Sequence, residues 1–104
     1  MTSGFKTATI AASGSGDNEI VAAVSGHAIE VWGFVLSPSA AVNMKWRSAT
    51  TDKTGLMYHT AVSITTVVAP PGSHPYFSTA VGAALNLNLS GATATGGYVL
   101  YREV

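Results

Sequence analysis

The stretch HAIEVWGFVLS, residues 27–37, is the longest strand candidate in the chain and decides the fold class. β-Branched and aromatic residues dominate it, and these residue types favour strands. Successive side chains of a strand point to opposite faces, so both faces of this strand would be apolar. We therefore expect it to lie between two layers or under a neighbouring subunit. One face would hold Ile29, Val31, Gly33 and Val35, and the other Trp32, Phe34 and Leu36.

Alternation of apolar and polar residues recurs on both sides of this stretch, whereas no window shows the apolar spacing of an amphipathic helix. Glycine, proline, asparagine and aspartate punctuate the chain at roughly ten-residue intervals, which is typical of a β-sandwich or barrel. We expect one all-β domain over residues 1–104, a β-sandwich of about eight short strands with a jelly roll as the favoured topology. The predicted strands are 6–11, 18–24, 27–37, 41–48, 57–60, 63–69, 85–89 and 98–102.

The connections between these strands are also predicted from turn-forming residues. Ser25 and Gly26 suggest a two-residue hairpin between the second and third strands. The segment GATATGG, residues 91–97, is predicted to be a turn, and the proline-rich residues 70–75 an exposed loop. Residues 1–16 are expected to form either a first strand or a flexible N-terminal arm.

Two strands alternate cleanly enough to assign their faces. Val42, Met44 and Trp46 are predicted to point into the core. Leu85, Leu87 and Leu89 do the same in LNLNLS, which leaves Asn86 and Asn88 on the outer face. Because these two outer positions are small and uncharged, we expect them to allow close approach by another protein surface.

Composition limits the classes of function. Only 10% of the 104 residues are charged, the formal net charge is zero, and 47% are hydrophobic. Nucleic acid is not expected as a partner because the five Lys and Arg residues form no basic patch. No membrane span or signal peptide is expected. The absence of cysteine suits folding in a reducing cytosol, and so few charges suggest a surface that is partly covered in an assembly.

Residues capable of catalysis or metal binding are sparse. The three histidines have no spacing that would place two imidazoles on one face, so no metal is expected. Asp17 and Glu19 are two residues apart and are predicted to lie in a solvated turn rather than to act on a glycosidic bond or bind calcium. We expect no cofactor and no catalytic residue, and a small hydrolase using these two carboxylates is the weakest alternative.

Exposed aromatic residues could instead bind a sugar. Trp32 and Trp46 are predicted to be core residues because of their apolar neighbours. Tyr58, His74 and Tyr76, near the proline-rich loop, are the better candidates for a ligand patch.

Several longer motifs resemble small structural proteins of tailed bacteriophages. They are NEIVAAVSGHAIEVWGFVLS, the strand VNMKWRS, and the late segment YFSTAVGAALNLNLSGATATGGYVLYREV, and together they cover most of the chain from residue 18 onward. The resemblance implies a jelly-roll-like sandwich and a place on the exterior of the virion. Among such proteins, a chain of this length is similar to head decoration, or cement, proteins, which often form trimers over capsid symmetry axes.

The expected function is therefore that of a non-enzymatic capsid decoration protein, with the major capsid protein and further copies of itself as partners. The oligomer or partner interface is predicted to include Trp32, Phe34, Leu36, Asn86 and Asn88. The alternative is an adhesin or carbohydrate-binding module of the tail or fibre, which would use the patch of aromatic residues and histidine described above.

Overall fold

The computed structural model describes residues 4–68 and 74–104, which form an all-β protein. These residues form ten strands and contain no helix. None of the described residues therefore belongs to a helix that could cross a membrane. The strands are β1 Lys6–Ala12, β2 Gly16–Val21, β3 Ile29–Pro38, β4 Val42–Ser48, β5 Thr51–Asp52, β6 Met57–His59, β7 Thr65–Val68, β8 Phe77–Ser78, β9 Leu85–Leu89 and β10 Thr95–Glu103.

The strands form two antiparallel sheets of five. Sheet A has the order β1-β10-β3, with β7 and β8 on successive parts of β3, and sheet B has the order β2-β9-β4, with β5 and β6 on successive parts of β4. The first strand thus lies beside the last in one sheet, and the second lies beside the next-to-last in the other, which is the jelly-roll order. The predicted single-domain β-sandwich is confirmed, with ten described strands at eight positions.

The core lies between the two sheets and is built by the alternation that the sequence shows. In sheet B, Met44 faces the core beside Leu89, and Trp46 beside Leu87, as the register pairs them. All four side chains are at most 1% exposed. Both assignments of inward faces are confirmed. The remaining buried hydrophobic residues are Ile10, Ala12, Val21, Ile29, Val31, Phe34, Leu36, Val42, Leu85 and Val99.

A β-bulge in β3 changes which residues share a face. β10 pairs Leu100 with Gly33 and Tyr101 with Val31, so Trp32 is an extra residue in β3. An extra residue reverses the side-chain alternation beyond it. Val31 and Phe34 therefore both point into the core, while Trp32 stays on the outer face. The prediction that Trp32 shares a face with Phe34 and Leu36 is wrong, and so is the prediction that Trp32 is a core residue.

Gly97 allows β10 to lie against β3. Its φ of +128° is a conformation that side chains disfavour, and a Cβ built there would lie 1.8 Å from the carbonyl oxygen of Val35. The residue pairs with Leu36 inside the sheet, so the predicted turn over residues 91–97 is too long. β10 already begins at Thr95, and its extent exceeds the predicted strand at 98–102.

Other boundaries differ by a few residues. The hairpin predicted at Ser25 and Gly26 is wrong, because β2 lies in sheet B and β3 in sheet A. A connection that crosses between sheets is required there, and it occupies the residues after Val21. Residues 6–12 of the possible N-terminal arm form β1, while residues 1–3 lie outside the described part, as does most of the proline-rich loop, residues 69–73.

Candidate functional site

The outer face of sheet B is a network of neutralised charges. Arg47 lies between two carboxylates, with Nη1 3.0 Å from Asp17 Oδ2 and Nε 3.0 Å from Asp52 Oδ1. Lys45 Nζ is 3.0 Å from Asp52 Oδ2, and Asn88 Nδ2 donates to Asp17 Oδ1 at 2.8 Å. The hydrogen bond from Lys45 lowers the pKa of Asp52 below its usual 3.8. This face is a hydrated polar surface held together by its own side chains.

Asp17 and Glu19, the carboxylates considered for hydrolysis, both lie in β2 and not in the predicted turn, and Asp17 belongs to this network. Both oxygens of Asp17 accept hydrogen bonds from protein side chains, and Glu19 lies on the same strand opposite Asn86. Residues 4–68 and 74–104 contain no group of three His, Cys, Asp or Glu side chains suited to a metal ion. The position of Asp17 is therefore explained by its ion pair with Arg47.

The histidines have structural positions in the described residues. His59 is buried, with Nε2 2.8 Å from Thr65 Oγ1 and Nδ1 3.2 Å from the carbonyl oxygen of Met57. Since His59 belongs to β6 and Thr65 to β7, this contact joins the two sheets at one edge of the sandwich. His27 lies in the turn before β3, where its carbonyl accepts from the Gly82 amide at 2.8 Å.

The outer face of sheet A has the opposite character. Its only charged side chains in the described residues, Glu30 and Arg102, bind each other at 2.9 Å. Small, β-branched, aromatic and aliphatic side chains make up the rest, and Tyr98 is 49% exposed. We call this surface the apolar face. It consists of Thr7, Thr9 and Ala11 from β1, Tyr98 and Leu100 from β10, Trp32 and Val35 from β3, and Thr66 from β7.

One corner of the apolar face is fixed by an aromatic and cation cluster. Phe5 meets Trp32 edge-on with ring centroids 5.3 Å apart, and the Arg102 guanidinium lies 5.4 Å from the Phe5 centroid and 5.6 Å from that of Trp32. Glu30 Oε1 accepts hydrogen bonds from Trp32 Nε1 and from Arg102. Cation–π contacts and a shared carboxylate hold the corner rigid. Sequence reasoning missed this cluster, because Phe5, the Glu30 and Trp32 pair, and Arg102 are far apart in the sequence.

A shallow depression continues the apolar face at the opposite end of β1. Its volume is about 480 Å³. No charged residue lines it; the lining residues are Ile10, Ala11, Ala12, Ser13, Ser37, Ser39, Ala94, Thr95 and Gly96. Small side chains at every wall make it a surface that another protein can approach closely.

The residues predicted to form one interface lie in three places. Phe34 and Leu36 are 6% and 0% exposed and belong to the core. Trp32 is on the outer face of sheet A, whereas Asn86 and Asn88 are on that of sheet B. The Asn86 amide donates to the Ala49 carbonyl at 2.9 Å. The predicted set is therefore not a single surface, because the bulge and the two-sheet order separate its members.

The predicted ligand patch draws on both sheets. Tyr58, on β6 of sheet B, is 72% exposed, and Tyr76, next to β8 of sheet A, is 46% exposed. The Tyr76 amide donates to the Val31 carbonyl, which anchors this segment to sheet A. His74 is exposed, with Nδ1 3.0 Å from the carbonyl oxygen of Pro75. The two tyrosines thus belong to different sheets.

Comparison with known proteins finds no match: no family model, no curated protein and no solved structure is significantly similar to the chain. Two features of the fold bear on function. They are the uncharged apolar face of sheet A and the self-neutralised polar face of sheet B.

Proposed function

We propose that the chain is a non-enzymatic structural protein that binds the outside of a phage capsid and stabilises the shell as a decoration protein. The observation that carries the proposal is the contrast between the two outer faces. The outer face of sheet B carries charged side chains, most of them in ion pairs, as is usual for a surface that faces water. On the outer face of sheet A, the described residues include one charge pair, Glu30 with Arg102, which is internally neutralised.

The broad side of the sandwich is large enough for a stable protein contact. The molecule measures 41 × 27 × 21 Å. A broad face of such a body offers on the order of 1,000 Å², and a standard interface buries about 800 Å² on each partner. Exposed apolar side chains grouped on one face of a protein often mark a site of protein contact. The occupant in this proposal is the major capsid protein.

The side chains of the apolar face suit binding through many moderate contacts spread over the surface, and not through a few strong charge pairs. Tyr98 provides an amphipathic ring of the type enriched at the centre of interfaces, and the threonines around it add hydrogen-bonding groups without charge. Binding through such a face depends weakly on ionic strength, since few fixed charges are screened. A rigid sandwich places the whole face in one orientation, which reduces the entropy lost on binding.

The sequence resemblance supports the virion as the setting, and the jelly roll is an architecture that viral capsid domains use, as do lectins and cupins. Fold alone does not establish function. The capsid and the homo-oligomer that the resemblance implies therefore belong to the proposal. Its physical support comes from the apolar face.

Gold-labelled antibody against the purified protein tests the location on intact virions of the phage that carries the chain. Label distributed over the heads is the expected result. Label confined to the tail would overturn the decoration role in favour of the adhesin, and a panel of host polysaccharides would then test Tyr58 and Tyr76. Virions without label would overturn both virion roles.

A further inference from the structure

The edge strand β1 differs from the other sheet edges of the protein. It pairs with β10 along its whole length, Lys6–Ala12, and with no other described strand. The corresponding edge of sheet B, β2, carries a register shift and two carboxylates, Asp17 and Glu19. On the opposite side of the sandwich, the edge strands β5 to β8 have only two to four residues each.

β1 also lacks the features that normally keep strand edges apart. Beyond Lys6 it contains no charge, no proline and no irregularity in its pairing with β10. Lys6 does not protect the edge either, because its Nζ binds Glu103 Oε1 at 3.0 Å, which directs it toward β10. A regular seven-residue edge without a bulge, a proline or a free charge is a template for another strand.

We infer that β1 pairs antiparallel with β1 of a second copy of the chain, across a two-fold axis that passes beside Thr9. Thr9 is the midpoint of the strand, so this register pairs all seven residues. It places Thr9 opposite Thr9, Thr7 opposite Ala11, and Lys6 opposite Ala12, so that no like charges meet. Self-complementary contacts of this kind are what a two-fold interface requires, and threonine pairs across antiparallel strands are favourable.

The second copy is the occupant that fits these observations best. An uncharged edge offers an unrelated strand little beyond backbone pairing, whereas a second β1 supplies the same length and the same small side chains. Pairing joins the two copies of sheet A into one continuous sheet and places their apolar faces side by side. The inference does not depend on what the apolar face binds, and it predicts a two-fold dimer where the resemblance implies a trimer.

Single cysteines test the register directly, because the chain has no cysteine of its own. Opposed residues in antiparallel strands have Cα atoms about 4.5–5.5 Å apart, within the range that a disulfide spans. Under mild oxidation Thr9→Cys should form a covalent dimer. Thr7→Cys and Ala11→Cys are the matched controls on the same strand: each should stay monomeric alone, since its counterpart lies about 13 Å away along the strand, and an equimolar mixture of the two should cross-link.

Sedimentation of the unmodified protein and of Thr9→Lys gives a second readout. The unmodified protein should sediment at about twice its 10.6 kDa mass. Thr9→Lys, which places two ammonium groups opposite each other, should weaken association at least tenfold without changing the circular dichroism spectrum. Thr66→Lys, an exposed position of sheet A away from this edge, should leave the mass unchanged.

Three results would overturn the inference. They are a Thr9→Cys variant that stays monomeric, a Thr7→Cys variant that cross-links alone as fast as Thr9→Cys, and an unmodified protein that sediments as a monomer or trimer.

Discussion

Replacing Gly97 by alanine should destabilise the protein far more than the same change at its neighbour, Gly96. At Gly97 the new methyl group would lie 1.8 Å from the Val35 carbonyl oxygen and 2.7 Å from the Val35 carbonyl carbon, both of them backbone atoms that no rotamer change can move. At Gly96 the nearest atom is the Ile10 carbonyl oxygen at 4.0 Å, an ordinary contact. The two glycines therefore differ mainly in the distance from the new methyl group to its nearest neighbours and in the positive φ of Gly97.

Two penalties contribute at Gly97. A non-glycine residue held at a φ of +128° costs about 1–3 kcal/mol, and forcing β10 away from β3 to relieve the clash costs about 1–3 kcal/mol or more, as overpacking does. A combined loss of roughly 4 kcal/mol is therefore expected, a large part of the 5–15 kcal/mol that stabilises a typical domain. With an m-value of about 1.5 kcal/mol/M, the urea midpoint should fall by roughly 2.7 M.

Urea unfolding followed by tryptophan fluorescence and by circular dichroism measures both variants. Gly96→Ala should stay within about 1 kcal/mol of the unmodified protein, because it meets only ordinary contacts. Equal midpoints for Gly97→Ala and Gly96→Ala would refute the close approach of β10 and β3 on which the bulged sheet A depends.

Three further outcomes follow from the same structure. Trp46→Ala should cost about 3–5 kcal/mol as a fully buried ring, whereas Trp32→Ala should cost less than half as much, since it lies on the outer face; equal losses in urea unfolding would contradict the bulge. Because the Lys45 hydrogen bond lowers the pKa of Asp52 below 3.8, its stabilising contribution is present above that pH and is lost as the pH falls through the folded-state value. Asp52→Asn should therefore weaken the acid dependence of stability below about pH 4, and an unchanged pH profile would argue against the ion pair. Binding to capsids should change little between low and moderate salt, and a steep loss in a salt titration would point to a charged contact instead.

The strands with strict alternation could be predicted from the sequence. In β4 and β9 every second residue is apolar, and the structure buries those residues, because a strand with one solvated face must alternate in this way. The all-β class and the sandwich follow from the same pattern, together with the turn residues between strands. These features are local, so one chain is enough to reveal them.

The faces of β3 could not be predicted, because a single extra residue at Trp32 reverses the alternation and leaves no local mark in an apolar stretch. The Ser25 and Gly26 turn has hairpin composition, yet the chain crosses there to the other sheet. The sheet that each strand joins is decided by pairing between strands distant in sequence, and the pairing of β1 with β10 is another example. The aromatic corner around Arg102 arises in the same way, because Phe5, Trp32 and Arg102 come together only when β1, β3 and β10 pair in sheet A.

The most direct test of the central claim compares two surface variants in binding to virion heads from which the protein has been removed. Tyr98→Asp places a charge in the middle of the apolar face, at a side chain that is 49% exposed and so tolerates the change in the free protein. Tyr58→Asp is the matched control: it is the same substitution at a side chain that is 72% exposed on the outer face of sheet B.

Tyr98→Asp should weaken head binding about 30-fold, equivalent to the roughly 2 kcal/mol of an interface hot spot, while Tyr58→Asp should bind like the unmodified protein. Circular dichroism should show both variants folded. Unchanged binding by Tyr98→Asp, or a loss confined to Tyr58→Asp, would contradict the assignment of the apolar face as the surface that meets the shell.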